Sequence, residues 1–146
     1  MYTTDDWLPI GSVVNTVGGE EDLMIVGYMC QDVRTGRLWD YAALGYPEGF
    51  VSSSELRMFD RTAVDTVFYI GYQDFDTRRF HDILLGTQTD FEAAKIQSIG
   101  DEEERREYAD MQANWKRLRA QADERYAEAA REAARRAGVA LDLGAL

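Results

Sequence analysis

WLPIGSVVNTVGGEEDLMIVGY, residues 7–28, reads as a complete β-hairpin. Residues 11–17 and 23–30 are rich in β-branched and large apolar side chains, and Gly18, Gly19, Glu20, Glu21 and Asp22 between them supply a turn with positive φ. In the second strand Leu23, Ile25 and Met29 fall on one face and Met24, Val26, Tyr28 and Cys30 on the other, so both faces are apolar. Such a strand belongs in the middle of a sheet or barrel.

Further strands follow in close order. Arg34-Thr35-Gly36-Arg37 has turn chemistry and leads into a third strand, Leu38 to Leu44. Tyr46-Pro47-Glu48-Gly49 suits a type I turn, a short strand is expected at Leu56 to Phe59, and Val64 to Tyr72 alternates Val64, Thr66, Phe68, Ile70 and Tyr72 with Asp65, Val67 and Tyr69. Four or five short sequential strands predict the β part of an α+β fold, a small, strongly bent antiparallel sheet or an SH3-like barrel.

From residue 73 the punctuation is helical. Asp74 caps a short helix ending near Leu85, with Phe80, Ile83 and Leu84 as its buried stripe and Gly86 as its stop. Thr89-Asp90-Phe91-Glu92 is a capping box for a second short helix that Gly100 ends. A long third helix starts at Asp101 with Glu102, Glu103 and Glu104 in its first turn and ends at Ala137 behind Arg135 and Arg136, the charge placement that the helix dipole favours. The expected divisions are therefore a β-rich module at 1–73, short helices packed on it at 74–100, a long amphipathic helix at 101–138 and a flexible tail at 139–146.

The long helix spans roughly 54 Å, more than the ~35 Å breadth of a domain of ~100 residues, so its own module cannot cover it. Tyr108, Met111, Trp115, Leu118 and Ala122 keep three-four alternation and Tyr126, Ala129 and Ala133 continue it after a stutter. This seam either folds back on the sheet and short helices or meets a partner, a second copy of the chain included.

The chain has 146 residues, enough for a real core without staples. Cys30 is the only cysteine, which excludes an intrachain disulfide and favours a reducing compartment. The first residues, MYTTDDWLPIG, carry acids where a signal peptide carries bases, and no apolar run approaches the ~20 residues that span a bilayer, so a cytoplasmic protein without membrane contact is expected. The net charge is -11, with 16 acids against 7 bases in residues 1–100. An anionic surface of this kind disfavours direct nucleic-acid binding and attracts basic partners.

Catalytic groups are scarce. His81 is the only histidine, which rules out a two-histidine metal site, and its neighbour Asp82 points about 100° away on a helix. Ser52-Ser53-Ser54 lacks a nucleophile elbow, while Asp5-Asp6, Glu20-Glu21-Asp22 and Asp74 with Asp76 lack the ligand spacing of a calcium loop. No catalytic residue, metal or cofactor is expected. Aromatic residues are plentiful, and tyrosine and tryptophan anchor protein interfaces. Trp39, Tyr41 and Tyr46 beside Glu48 form one expected partner-binding patch; Tyr108, Met111, Trp115 and Leu118 on the long helix form another.

Leu8-Pro9-Ile10-Gly11-Ser12-Val13-Val14, Gly18-Gly19, Leu23-Met24-Ile25-Val26-Gly27-Tyr28, Asp40-Tyr41, Tyr46-Pro47-Glu48-Gly49 and Gly71-Tyr72, in that order, resemble the family known as domain of unknown function 4176. Its members are small proteins of Gram-positive bacteria, often encoded near type VII secretion genes and LXG-type toxins. The resemblance implies a non-enzymatic accessory role, as adaptor, chaperone or immunity protein, toward a secreted toxin or secretion component. The acidic β part raises a rival expectation, an inhibitor or nucleic-acid mimic that occupies a basic groove of a nuclease or defence complex.

Overall fold

The computed structural model describes residues 6–139. Its strands are β1 (Val13–Thr16), β2 (Asp22–Gln31), β3 (Leu38–Tyr46), β4 (Arg57–Phe59) and β5 (Val64–Tyr69). They form one sheet in the order β4-β3-β2-β1-β5, with every neighbouring pair antiparallel. Two helices follow, α1 (Phe75–Ser98) and α2 (Glu102–Ala137).

The hairpin forms as the sequence predicts. Val13 lies opposite Met24 and Val14 opposite Leu23, and the Gly19 amide donates to the Thr16 carbonyl at 2.9 Å. Gly18 between them has φ of 73°, a left-handed conformation open to glycine at little steric cost. The doubly apolar β2 is the central strand. A register shift between Ile25 and Gly27 puts Tyr28 opposite Tyr41 and packs it against the core, so the simple alternation predicted for β2 ends at Val26.

The SH3-like barrel is not what forms. A barrel closes only when its outermost strands pair, whereas here β4 and β5 lie at opposite ends of an open sheet. β4 has three residues and is bracketed by 3-10 turns at Ser53–Glu55 and Arg61–Ala63, which leaves little ladder with which to close. The turn after β3 also differs from a type I turn: the Tyr46–Pro47 peptide is cis, and the Gly49 amide donates to the Gly45 carbonyl at 2.8 Å.

Two helices replace the expected three. Gly86 and the Thr89-Asp90 capping sequence both lie inside α1. A glycine within a helix costs about 0.5–1 kcal/mol, less than the buried contacts made by the second half of α1 return. The Asp74 cap forms as expected, accepting from the Thr77 amide at 2.9 Å.

The core joins Val14, Leu23, Ile25, Tyr41, Ala43, Phe59 and Val64 of the sheet and its turns to Trp7, Leu8 and the α1 residues Leu84 and Phe91. By contacts the chain divides into two units, residues 1–101 and 102–146. The second contains α2, with Glu102, Glu103 and Glu104 in its first turn and Arg135 and Arg136 in its last. Its C-terminus closes as a Schellman motif, the Val139 amide donating to Ala134 at 2.8 Å across Gly138 at φ 70°. Arg131 bridges Glu124 at 2.9 Å and Glu128 at 3.1 Å along the exposed helix. Most of the predicted tail, 140–146, lies outside the described residues. Among those described, no helix is long and apolar enough to cross a membrane.

Candidate partner-binding surface

α1 is held on the sheet largely by charge. Lys95, fully buried, donates to Asp40 at 2.7 Å and to Asp60 at 3.3 Å. Arg61, also buried, donates through Nε to Asp40 at 3.1 Å and through Nη2 to Glu92 at 2.9 Å, and its backbone amide donates to Asp40 at 2.8 Å. Burial pushes the Asp60 carboxyl up, partly countered by Lys95. For Arg61 burial alone would lower the guanidinium, but Asp40 and then Glu92 outweigh it and raise it. Each buried charge thus faces an opposite one, the condition on which such groups can leave water.

The N-terminal segment is clamped beneath this helix. Leu8 donates its amide to the Tyr41 hydroxyl at 2.8 Å and accepts at its carbonyl from the Tyr28 hydroxyl at 2.5 Å. Trp7 donates through Nε1 to Gln88 at 2.9 Å, meets Tyr28 and Tyr41 edge-on with centroids 5.8 Å apart, and carries the Arg61 guanidinium 4.3 Å above its ring. Burial holds the Tyr28 phenol up at about 12 and pushes Tyr41 higher.

Two charged groups of α1 turn inward while several of its apolar ones face out. Glu92 and Lys95 are buried while Phe75, Phe80, Ile83 and Leu85 are exposed, so the expected stripe of Phe80, Ile83 and Leu84 holds only for Leu84. The exposed row starts in the sheet, with Phe68 57% and Tyr69 60% exposed at the end of β5, and passes through Ile70 and Tyr72, the latter 78% exposed, to Phe75 at 74%. Beside it a cleft of 560 Å³ opens between residues 6–10 and the start of α1, walled by Ile10, Ile70, Tyr72, Phe80 and Leu84. At its polar end His81 Nε2 lies 2.7 Å from the Asp6 carboxylate. Isolated exposed apolar side chains are ordinary on proteins, whereas several exposed aromatic ones close in sequence and beside a cleft make a candidate binding surface.

The partner-binding residues expected from sequence are scattered over these features. Tyr41 is wholly buried and serves as the clamp on Leu8, so its ring is not offered to a partner. Trp39 is half-buried under the Arg37 guanidinium, 3.7 Å from the ring centroid, while Tyr46 and Glu48 are exposed beyond the end of the core. On α2, Tyr108 is buried and accepts from Gln112 Nε2 at 2.7 Å, Trp115 is half-buried, and Met111 and Leu118 are exposed. Sequence reasoning missed the row from Phe68 to Ile83. The available signal was the near absence of charge in residues 64–73, VDTVFYIGYQ, where Asp65 stands alone.

Among the described residues no group of three or more His, Cys, Asp or Glu side chains is arranged to hold a metal ion. Neither the curated proteins nor the solved structures contain a match to the chain. A family model, described as Domain of unknown function (DUF4176), matches residues 7–80, which include the whole sheet, the N-terminal clamp and the first turns of α1. The chain accordingly belongs to the DUF4176 family.

Proposed function

We propose that this protein is a non-enzymatic protein-binding module, an accessory protein that engages a secreted toxin or a secretion component of a type VII system of the LXG class as adaptor, chaperone or immunity protein. The observation that carries the binding role is the run of exposed apolar side chains close in sequence, Phe68, Tyr69, Ile70, Tyr72 and Phe75, of which Ile70 and Tyr72 wall a cleft, on a scaffold otherwise cross-linked by buried charges. Aromatic side chains anchor interfaces because they cover a large area at small cost in conformational entropy. The secretion context follows from the company that the family resemblance implies.

Co-purification of the full chain from its native host, followed by identification of the products of adjacent genes, tests this reading. A stoichiometric complex with one such product, weakened when Tyr72 and Phe75 are replaced by serine, is the expected result. Recovery of no specific neighbour, or of one indifferent to both substitutions, overturns it. The rival acidic inhibitor would bind a basic groove through charge, so its complex should dissociate steeply with salt, whereas an aromatic interface persists.

A further inference from the structure

Resting on the protein-binding reading, we infer that β5 is a docking edge on which an extended, lysine- or arginine-bearing segment of another protein adds as a sixth strand. The two edges of the sheet are unlike. β4 is three residues long, is bracketed by 3-10 turns, and carries Arg57 paired with Glu21 at 3.0 Å, all of which blunt an edge against further pairing. β5 has six residues, pairs with β1 on one side, and among the described residues has no strand on the other.

β5 lacks two of the usual deterrents. It contains no lysine and no proline, and Asp65 is its only charge. Phe68 and Tyr69, adjacent in a strand and so on opposite faces, are both exposed; an added strand would find a large side chain on either side of the sheet to cover. One deterrent is present: two register shifts against β1 twist the strand, which restricts the edge to a single added segment and opposes open-ended stacking.

Charge selects the occupant. Residues 1–100 hold 16 acids and 7 bases, so a second copy would bring like charge to like charge. A segment with basic side chains meets Asp65, the one charge of the strand, on a module with an excess of acids. Backbone pairing supplies affinity in this mode and the alternate side chains supply selectivity.

The test uses the full chain and a synthetic nine-residue peptide, acetylated and amidated, in which valine alternates with lysine and threonine. Its counterparts carry glutamate for lysine, or N-methyl groups on alternate amides. Expected are saturable binding of the lysine peptide, slowed amide exchange confined to residues 65–70, at least tenfold weaker binding of the glutamate peptide, and loss of binding on N-methylation. The exposed-site variants Phe68→Lys and Tyr69→Lys, checked for folding by circular dichroism, should weaken binding at least tenfold. No saturation at millimolar peptide, equal binding of the glutamate peptide, protection elsewhere, or a dimer in light scattering that Phe68→Lys dissolves overturns the proposal. If the peptide fails while a co-purified neighbour cross-links to other surfaces, strand addition falls and the protein-binding reading stands; if the peptide binds while no neighbour co-purifies, the secretion reading falls alone.

Discussion

Lys95 Nζ on α1 lies 2.7 Å from Asp40 Oδ1 on β3, and both side chains are withdrawn from water. Lys95→Met leaves Asp40 and Asp60 buried with one cation fewer, and removal of one partner from a buried pair costs about 3–5 kcal/mol. Urea denaturation should show a loss of that size. The exposed pair of Arg57 and Glu21, at 3.0 Å, is the internal control: Arg57→Ala should cost no more than about 1 kcal/mol.

Two glycines should respond to alanine in opposite directions. A Cβ at Gly86, inside α1, meets nothing within 4 Å, so Gly86→Ala should raise stability by about 0.5–1 kcal/mol through the restricted unfolded chain. A Cβ at Gly71 would stand 2.1 Å from the Ile10 carbonyl oxygen, where backbone passes backbone. Gly71→Ala should therefore destabilise, by about 1–3 kcal/mol as overpacking does. Thermal melts of the two variants separate the cases.

Alkaline pH should weaken the fold through the N-terminal clamp. Burial holds Tyr28 at about 12 and Tyr41 higher, above the ordinary 10.0. As pH passes about 10 the unfolded chain ionises these phenols while the folded chain keeps their protons, so the stabilisation is complete below that pH and is lost as pH rises through about 12. Urea midpoints measured from about pH 9 to about 11.5 should fall, and tyrosinate absorbance should show a late-titrating fraction. Tyr41→Phe should flatten the pH slope while lowering stability near neutrality by about 1–3 kcal/mol, because the buried Leu8 amide loses its acceptor.

On α1 the exposed apolar residues should be dispensable for stability and needed for binding. Phe75→Ser and Ile83→Ser should change stability by no more than about 0.5 kcal/mol, as surface changes do, while reducing capture of the co-purified partner. If both variants keep full capture, the interface lies off this helix.

What was legible in the sequence was local. The hairpin turn at Gly18, the central place of β2 and the Asp74 cap each depend on chemistry within a few residues, and each is present. The continuity of α1 was not legible, since Gly86 and Thr89-Asp90 are strong local stop and start signals, and they are overruled by Asp40, Asp60 and Arg61 from the sheet side. The same partners draw Glu92 and Lys95 into the buried face beside Leu84 and Phe91, while Phe80 and Ile83, which read as core, lie toward solvent. Tyr41 was misplaced for a related reason: its hydroxyl finds a backbone partner in Leu8, 33 positions earlier, a pairing that no spacing rule reveals.

Trp7 and its acceptor Gln88 are 81 positions apart, which ties the completion of the core to the direction of synthesis. At about 5–20 residues per second, a ribosome makes the indole roughly 4–16 s before the α1 residues that complete its enclosure. Throughout that interval the indole lacks its hydrogen-bond acceptor Gln88 and the ring of Phe91 that packs on it. The nascent protein is therefore open to chaperones, and to premature association, for longer than its small size suggests.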